Sequence, residues 1–184
     1  MAYQLDFWAV VKAVFVPFDL VFHAIVIGAF GIGPVVILLQ LRKGTPFRKL
    51  RLPFALVVGL PVAASLVICL LHTGAGWQLA DKELQVKTGV WGAEEIKLAQ
   101  ARVALVESRG PWTVKLRTGG LGLPGLSTGR FKFQNGETAL YFRHLDSPRR
   151  VVLESGGRYY VIAHPRVEKL YEELVARGAQ PAKL

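Results

Sequence analysis

Leu20–Leu41, LVFHAIVIGAFGIGPVVILLQL, and Leu52–Leu71, LPFALVVGLPVAASLVICLL, are the stretches whose reading decides the fold. In the first, His23 and Gln40 are the only strongly polar side chains; in the second, Ser65 is the only hydroxyl and no residue is charged. As helices, 22 and 20 residues extend roughly 33 and 30 Å at about 1.5 Å per residue, and a hydrocarbon core is about 30 Å thick. Both runs therefore predict transmembrane spans. A buried helix in a water-soluble core is the alternative, and two such runs in a chain of 184 residues weigh against it. Gly28, Gly31, Gly33 and Pro34 interrupt the first run, with Pro34 expected to kink it; such residues are tolerated where neighbouring groups satisfy the freed backbone.

The connection between the runs, residues 42–51, holds Arg42, Lys43, Arg48, Lys49 and Arg51 and no acid. Short loops rich in Lys and Arg stay cytoplasmic, so these five residues are read as topology-determining, with both termini on the outer side. Phe7, Trp8 and Trp77 would then serve as aromatic anchors at the outer interface. The opening Met1-Ala2-Tyr3-Gln4-Leu5-Asp6 lacks a basic n-region and the run that follows is long, which argues against a cleaved signal peptide.

In the second run Ala55, Gly59 and Ala63 recur every four residues, and Ala29 and Gly33 offer a shorter match in the first. Small residues at this spacing let helices approach closely. Asp19 and His23 share one helix face, and an antiparallel hairpin would bring His72 to the same level. This gives a candidate intramembrane polar cluster, weighed against ordinary interfacial placement.

The net charge of +10, pI near 10.1 and mean hydropathy of +0.34 would together fit either a nucleic-acid or a membrane partner. The distribution favours the membrane. Residues 1–73 carry six basic and two acidic side chains, with the excess in the connecting loop, and residues 74–184 carry seventeen and eleven. No nucleic-acid partner is expected. The single cysteine, Cys69, excludes an intrachain disulfide.

After Trp77 the pattern changes to short alternating runs broken by glycine pairs, which reads as antiparallel strands. Leu84 and Val86, then Val103 and Leu105, then Trp112, Val114 and Leu116 mark successive strands. Phe131 and Phe133 precede Asn135-Gly136, a strong hairpin signal, and Thr138–Arg143 returns. A second hairpin runs from Arg150–Glu154 through Ser155-Gly156-Gly157 to Arg158–Ala163. A closing helix follows, with Pro165 at its first position, Val167, Leu170, Tyr171 and Leu174 at helical spacing, and Gly178 just past its end.

The run from Gly119 to Phe131, GGLGLPGLSTGRF, followed by the Asn135-Gly136 hairpin, the strand Arg149–Leu153 and a terminal helix, resembles the bacterial pleckstrin-homology-like families over roughly residues 79–177. The resemblance implies a bent antiparallel sheet of about seven strands with a C-terminal capping helix, attached to membrane helices in a bacterial inner membrane. It implies binding and oligomerisation, and no catalytic residues or cofactor. The phosphoinositide site of eukaryotic relatives is not carried over, because the matching turn, Thr88-Gly89 and then Trp91–Glu95, is acidic.

Two motifs fail on context. Gly120–Gly125 matches a dinucleotide fingerprint, but no helix follows and Pro124 makes it a loop. Gly125-Leu126-Ser127-Thr128-Gly129 spells a nucleophile elbow, with Asp146 and His164 in hydrolase order, yet a strand rather than a helix follows the serine. Lys115, Arg117, Arg130, Lys132, Arg143, Arg149 and Arg150 form a candidate anionic-surface patch with anionic lipid as its expected partner, weighed against an ordinary solvated outer face.

The expected organisation is an interfacial segment 1–19, a transmembrane hairpin 20–73, a PH-like domain 74–178 and a tail 179–184. The C-terminal domain is extracytoplasmic. Expected partners are the lipid bilayer and either another copy or a membrane protein, with no metal or cofactor. The expected function is a non-catalytic, membrane-anchored interaction module; the alternative is a lipid- or small-ligand-handling accessory subunit of a transport complex.

Overall fold

The computed structural model describes every residue except Phe18, and the side chains of Ile25, Ala29 and Trp91 also lie outside the described set. The chain forms two compact units: Met1–Pro17 together with His72–Leu184, and Phe18–Leu71. The chain opens with β1 (Ala2–Gln4) and α1 (Phe7–Phe15), the latter capped by the Asp6 carboxylate, which accepts from the Ala9 N–H at 2.7 Å.

In the apolar unit α2 (Leu20–Val26), a π-wound segment (Ile27–Ile32) and α3 (Gly33–Arg42) follow in succession. After a turn come α4 (Phe47–Phe54), a second π-wound segment (Ala55–Gly59) and α5 (Leu60–His72). Each wide segment lies just upstream of a proline, Pro34 or Pro61. A proline ring clashes with the carbonyl four residues back and donates no hydrogen bond, and winding at i→i+5 relieves both misfits. Gly33 N–H accordingly reaches the Gly28 carbonyl, and Leu60 N–H reaches that of Ala55.

Phe47–His72 is one helix of 26 residues, long and apolar enough to cross a membrane, and only 6 % of its most apolar window is buried. The other apolar helix among the described residues, Phe30–Arg42, is shorter. Among the described residues one helix of spanning length is shown. The basic connection is also shorter than its sequence suggests, because Phe47–Arg51 already belongs to α4.

The other unit is built on two sheets. A four-stranded sheet has the order β1-β2-β3-β4, with β2 (Gly76–Leu79), β3 (Glu83–Lys87) and β4 (Ala93–Lys97), antiparallel throughout. Its inner face aligns Leu79, Leu84 and Ile96, with Trp77 beside Val86. Residues 1–17 thus belong to the β-rich unit, with Tyr3 opposite Trp77 in the ladder. Trp77 is 1 % exposed, so it is a core residue and not an interface anchor. Strand alternation turns its ring inward. The acidic turn expected after Thr88 is a short 3-10 helix, Gly89–Trp91, leading into β4.

The larger sheet contains β5 (Arg102–Glu107), β6 (Val114–Leu123), β7 (Leu126–Phe133), β8 (Thr138–His144), β9 (Arg149–Ser155) and β10 (Arg158–Ala163). Helix α6 (Val167–Ala176) and β11 (Gln180–Pro181) close the chain. The strand order is β11-β5-β9-β10-β8-β7-β6. This bent sheet has the seven strands expected, but it is mixed: β10 lies parallel to β8, between β8 and β9, and β11 lies parallel to β5. Trp112, Phe131, Phe133, Tyr141, Val152 and Val161 make a core on one face. Val167, Leu170 and Leu174 of α6 are buried where that helix covers β5 and β9.

Three local expectations change. Gly120–Gly125 is a loop only at Pro124-Gly125, because β6 runs to Leu123 and β7 starts at Leu126. Gly120 and Gly129 face each other, and a Cβ on either would strike the opposite backbone. Helix α6 begins at Val167 rather than Pro165, since Arg166 takes a left-handed conformation (φ +66°) that breaks the winding. Residues 179–184 are not a free tail: β11 is in the ladder, and Trp112 Nε1–H donates to the Leu184 carbonyl at 3.1 Å.

Candidate interaction surfaces

The predicted basic patch divides into residues committed to the fold and residues left at the surface. Arg143 donates to the carbonyls of Leu123 and Pro124, both at 2.9 Å, and pairs with Asp146 at 3.2 Å, so it fastens the β6–β7 turn. Arg149 pairs with Glu107 at 3.2 Å. Arg150 donates to the Trp112 carbonyl at 2.5 Å and its guanidinium lies 5.7 Å from the Tyr141 ring centroid. Lys115, Arg117 and Lys132 are exposed, and Arg130 lies 3.9 Å from Glu94. Lys115 and Arg117 do not share a regular face, because β6 is bulged on both sides of the Leu116–Arg117 pair.

Glu94 is approached by Arg130 of the patch and by Arg158 outside it. It stands on β4, and the Tyr160 hydroxyl of β10 donates to it at 2.9 Å, while Arg158 sits 3.7 Å away. Glu94 thus ties the small sheet to the large one. Burial raises the Tyr160 pKa, and the bond to Glu94 adds to that shift. The cleft beside it, about 170 Å³, is lined by Arg130, Thr138, Leu140 and Arg158 as well as Glu94 and Tyr160. Typical small-molecule sites run on the order of 300–1,000 Å³, so this cleft is small for an organic ligand.

A second polar constellation carries no sequence signature. The Tyr3 hydroxyl lies 2.6 Å from His144 Nδ1, and the Tyr3 ring stacks on His164 at 4.3 Å between centroids. His164 Nδ1 bonds the Pro165 carbonyl at 2.7 Å. His144 and His164 are 8 % and 3 % exposed, and burial lowers the pKa of each. The only sequence sign was the alternation Ala2-Tyr3-Gln4-Leu5, which fits an edge strand.

In the apolar unit Asp19 caps α2, accepting from the Phe22 N–H at 2.8 Å, and His23 Nδ1 lies 2.9 Å from the Asp19 carbonyl. The structure brings that pair together. His72 is buried and belongs to the β-rich unit. Among the described residues no three His, Cys, Asp or Glu side chains are placed to hold a metal. Gly33 packs closely on Val57, where a Cβ would collide. Ala55, Gly59 and Ala63 are exposed, and the π winding of Ala55–Gly59 takes that stripe off α-helical spacing. The Ala29 side chain lies outside the described residues.

Arg42, Lys43, Arg48, Lys49 and Arg51 are all exposed. Of the hydrolase-order residues, Ser127 is buried at the start of β7 opposite Arg143, Asp146 pairs with Arg143, and His164 bonds backbone. No protein-family model, curated protein or solved structure matches this chain.

Proposed function

We propose that the chain is a membrane-anchored, non-catalytic interaction module in which the apolar unit forms a two-span hairpin and the β-rich unit engages a second copy or a membrane-protein partner. The observation that carries this reading is the Phe47–His72 helix, whose apolar side chains are almost entirely unburied. In water such a surface costs about 25 cal/mol per Å², whereas lipid accepts it without penalty.

Leu20–Arg42, helical in three successive segments, supplies the other span of the proposed hairpin. Ala55, Gly59 and Ala63 are exposed small residues on the Phe47–His72 helix, open to a partner although the π winding sets them off one regular stripe. The resemblance to the bacterial pleckstrin-homology-like families fits the bent sheet and its helix; the parallel β8·β10 and β5·β11 pairs are where this chain departs from an all-antiparallel sheet. The basic connection would lie in the cytoplasm of a bacterial cell and the β-rich unit outside it. Native mass spectrometry of the full chain released from nanodiscs tests the reading. Dimers, higher oligomers or a stoichiometric partner support it, and monomers alone contradict it.

A further inference from the structure

Helix α1 has an apolar surface on both sides, and among the described residues the β-rich unit covers only one of them. Val10, Ala13 and Val14 are buried against the β-rich unit, and the Ala13 carbonyl accepts from the Gly125 N–H at 2.9 Å. On the opposite side Trp8, Lys12 and Val16 follow at i, i+4 and i+8; Trp8 is 67 % and Val16 72 % exposed. Half-buried Val11 and Phe15 flank that stripe. A helix lying on a protein in water turns polar residues outward. This one turns out a tryptophan and a valine with a single cation between them, and Asp6 at its start is used as the cap.

Three features select lipid as the occupant over a protein surface. Tryptophan is suited to the headgroup level, where one part of the ring is apolar and the N–H is wet. Lys12, with no acid on the stripe, complements lipid phosphate and has a long enough stem to reach it. In the sequence the apolar run that begins at Leu20 follows Phe15 closely.

We infer that the Trp8–Lys12–Val16 face of α1 is a bilayer-contact surface lying in the headgroup–acyl boundary, while the opposite face holds the β-rich unit. This rests on the membrane reading above. It makes α1 a plate between protein and lipid that sets how the β-rich unit meets the bilayer.

The test is spin-label accessibility on the full chain in nanodiscs containing anionic lipid, in a Cys69→Ala background. Labels go at Trp8→Cys, Val16→Cys, Val62→Cys in the long helix and Glu137→Cys in an exposed turn. The expected result is high oxygen and low nickel-chelate collision rates at 8 and 16, as at 62 and opposite to 137. Collision rates at 8 and 16 matching those at 137 overturn the inference, as does shielding from both reagents, which would mean a protein occupant. If 62 also reports water, the membrane reading itself has failed; lipid at 62 with water at 8 and 16 sinks this inference alone. Because Trp8→Cys removes the ring in question, quenching of intrinsic fluorescence by brominated-acyl lipid gives a second readout. The chain with Trp8 should show a quenched component that Trp8→Phe loses, and equal quenching in both contradicts the inference.

Discussion

The hydroxyl of Tyr3 and Nδ1 of His144 lie 2.6 Å apart, joining the first strand of the chain to the end of β8. In the neutral tautomer that carries its proton on Nε2, Nδ1 accepts the tyrosine proton. One histidine thus holds β1. Tyr3→Phe keeps the stacking on His164 but leaves a buried acceptor empty, at a cost of about 1–3 kcal/mol. A thermal melt of the full chain should show a lower midpoint for Tyr3→Phe; an unchanged midpoint would mean the bond contributes nothing.

Stability should fall on acidification through the histidine range. Burial holds His144 and His164 below their ordinary pKa, with the Ala9 and Pro165 backbone bonds opposing. Near His164, Arg166 lowers its pKa and Glu168 raises it. The unfolded chain therefore takes up protons first as pH drops below about 6.5, and stability is lost from there down to the depressed folded values. Above that range the contribution is complete. Glu154, held low by its hydrogen bond to Arg102, acts only in the lower carboxylate range. Unfolding midpoints between about pH 5 and about pH 7.5 should rise with pH, and His144→Gln with His164→Gln should flatten the slope.

Gly125 is where the β6–β7 turn meets α1. A Cβ there would strike the Ala13 carbonyl and approach Pro17 Cγ to 2.7 Å. Gly125→Ala should loosen Met1–Pro17 by about 1–3 kcal/mol, as overpacking does. Hydrogen exchange checks this directly, with faster exchange of α1 amides expected and little change in β9 and β10. Uniform protection in both proteins would show that the contact yields without penalty.

The basic residues should separate into two groups on substitution. Arg150→Ala removes the bond to the Trp112 carbonyl and the guanidinium beside Tyr141, and should cost about 1–3 kcal/mol. Lys132→Ala, at an exposed position, should change stability by less than about 0.5 kcal/mol. Chemical denaturation of the two variants decides; equal effects would remove the distinction drawn between fold and surface.

Local signals in the sequence translated into local structure. Asn135-Gly136 makes the β7–β8 turn with Gly136 at φ +90°, and Gly156 and Gly157 both take positive φ between β9 and β10. Gly178, at φ +105°, ends α6 as expected. What periodicity could not carry was arrangement. A hairpin signal names partners within a pair, so nothing in residues 138–163 revealed that β10 slots between β8 and β9. Ala93–Lys97, AEEIK, pairs as a strand although Ile96 is its only large apolar residue. Trp77 sits next to an apolar run and reads as an interface anchor; its ladder partners Tyr3 and Val86 put it inside. Arg143 and Arg150 look like surface charge because a sequence does not show which carbonyls they reach.

Everything proposed for this chain depends on lipid being the solvent of the Phe47–His72 helix. Alkaline carbonate washing of membranes from cells expressing the full chain measures that most directly. The account predicts that the protein stays with the membrane pellet and is released only by detergent. Recovery of the chain in the carbonate supernatant, folded and without detergent, would contradict it.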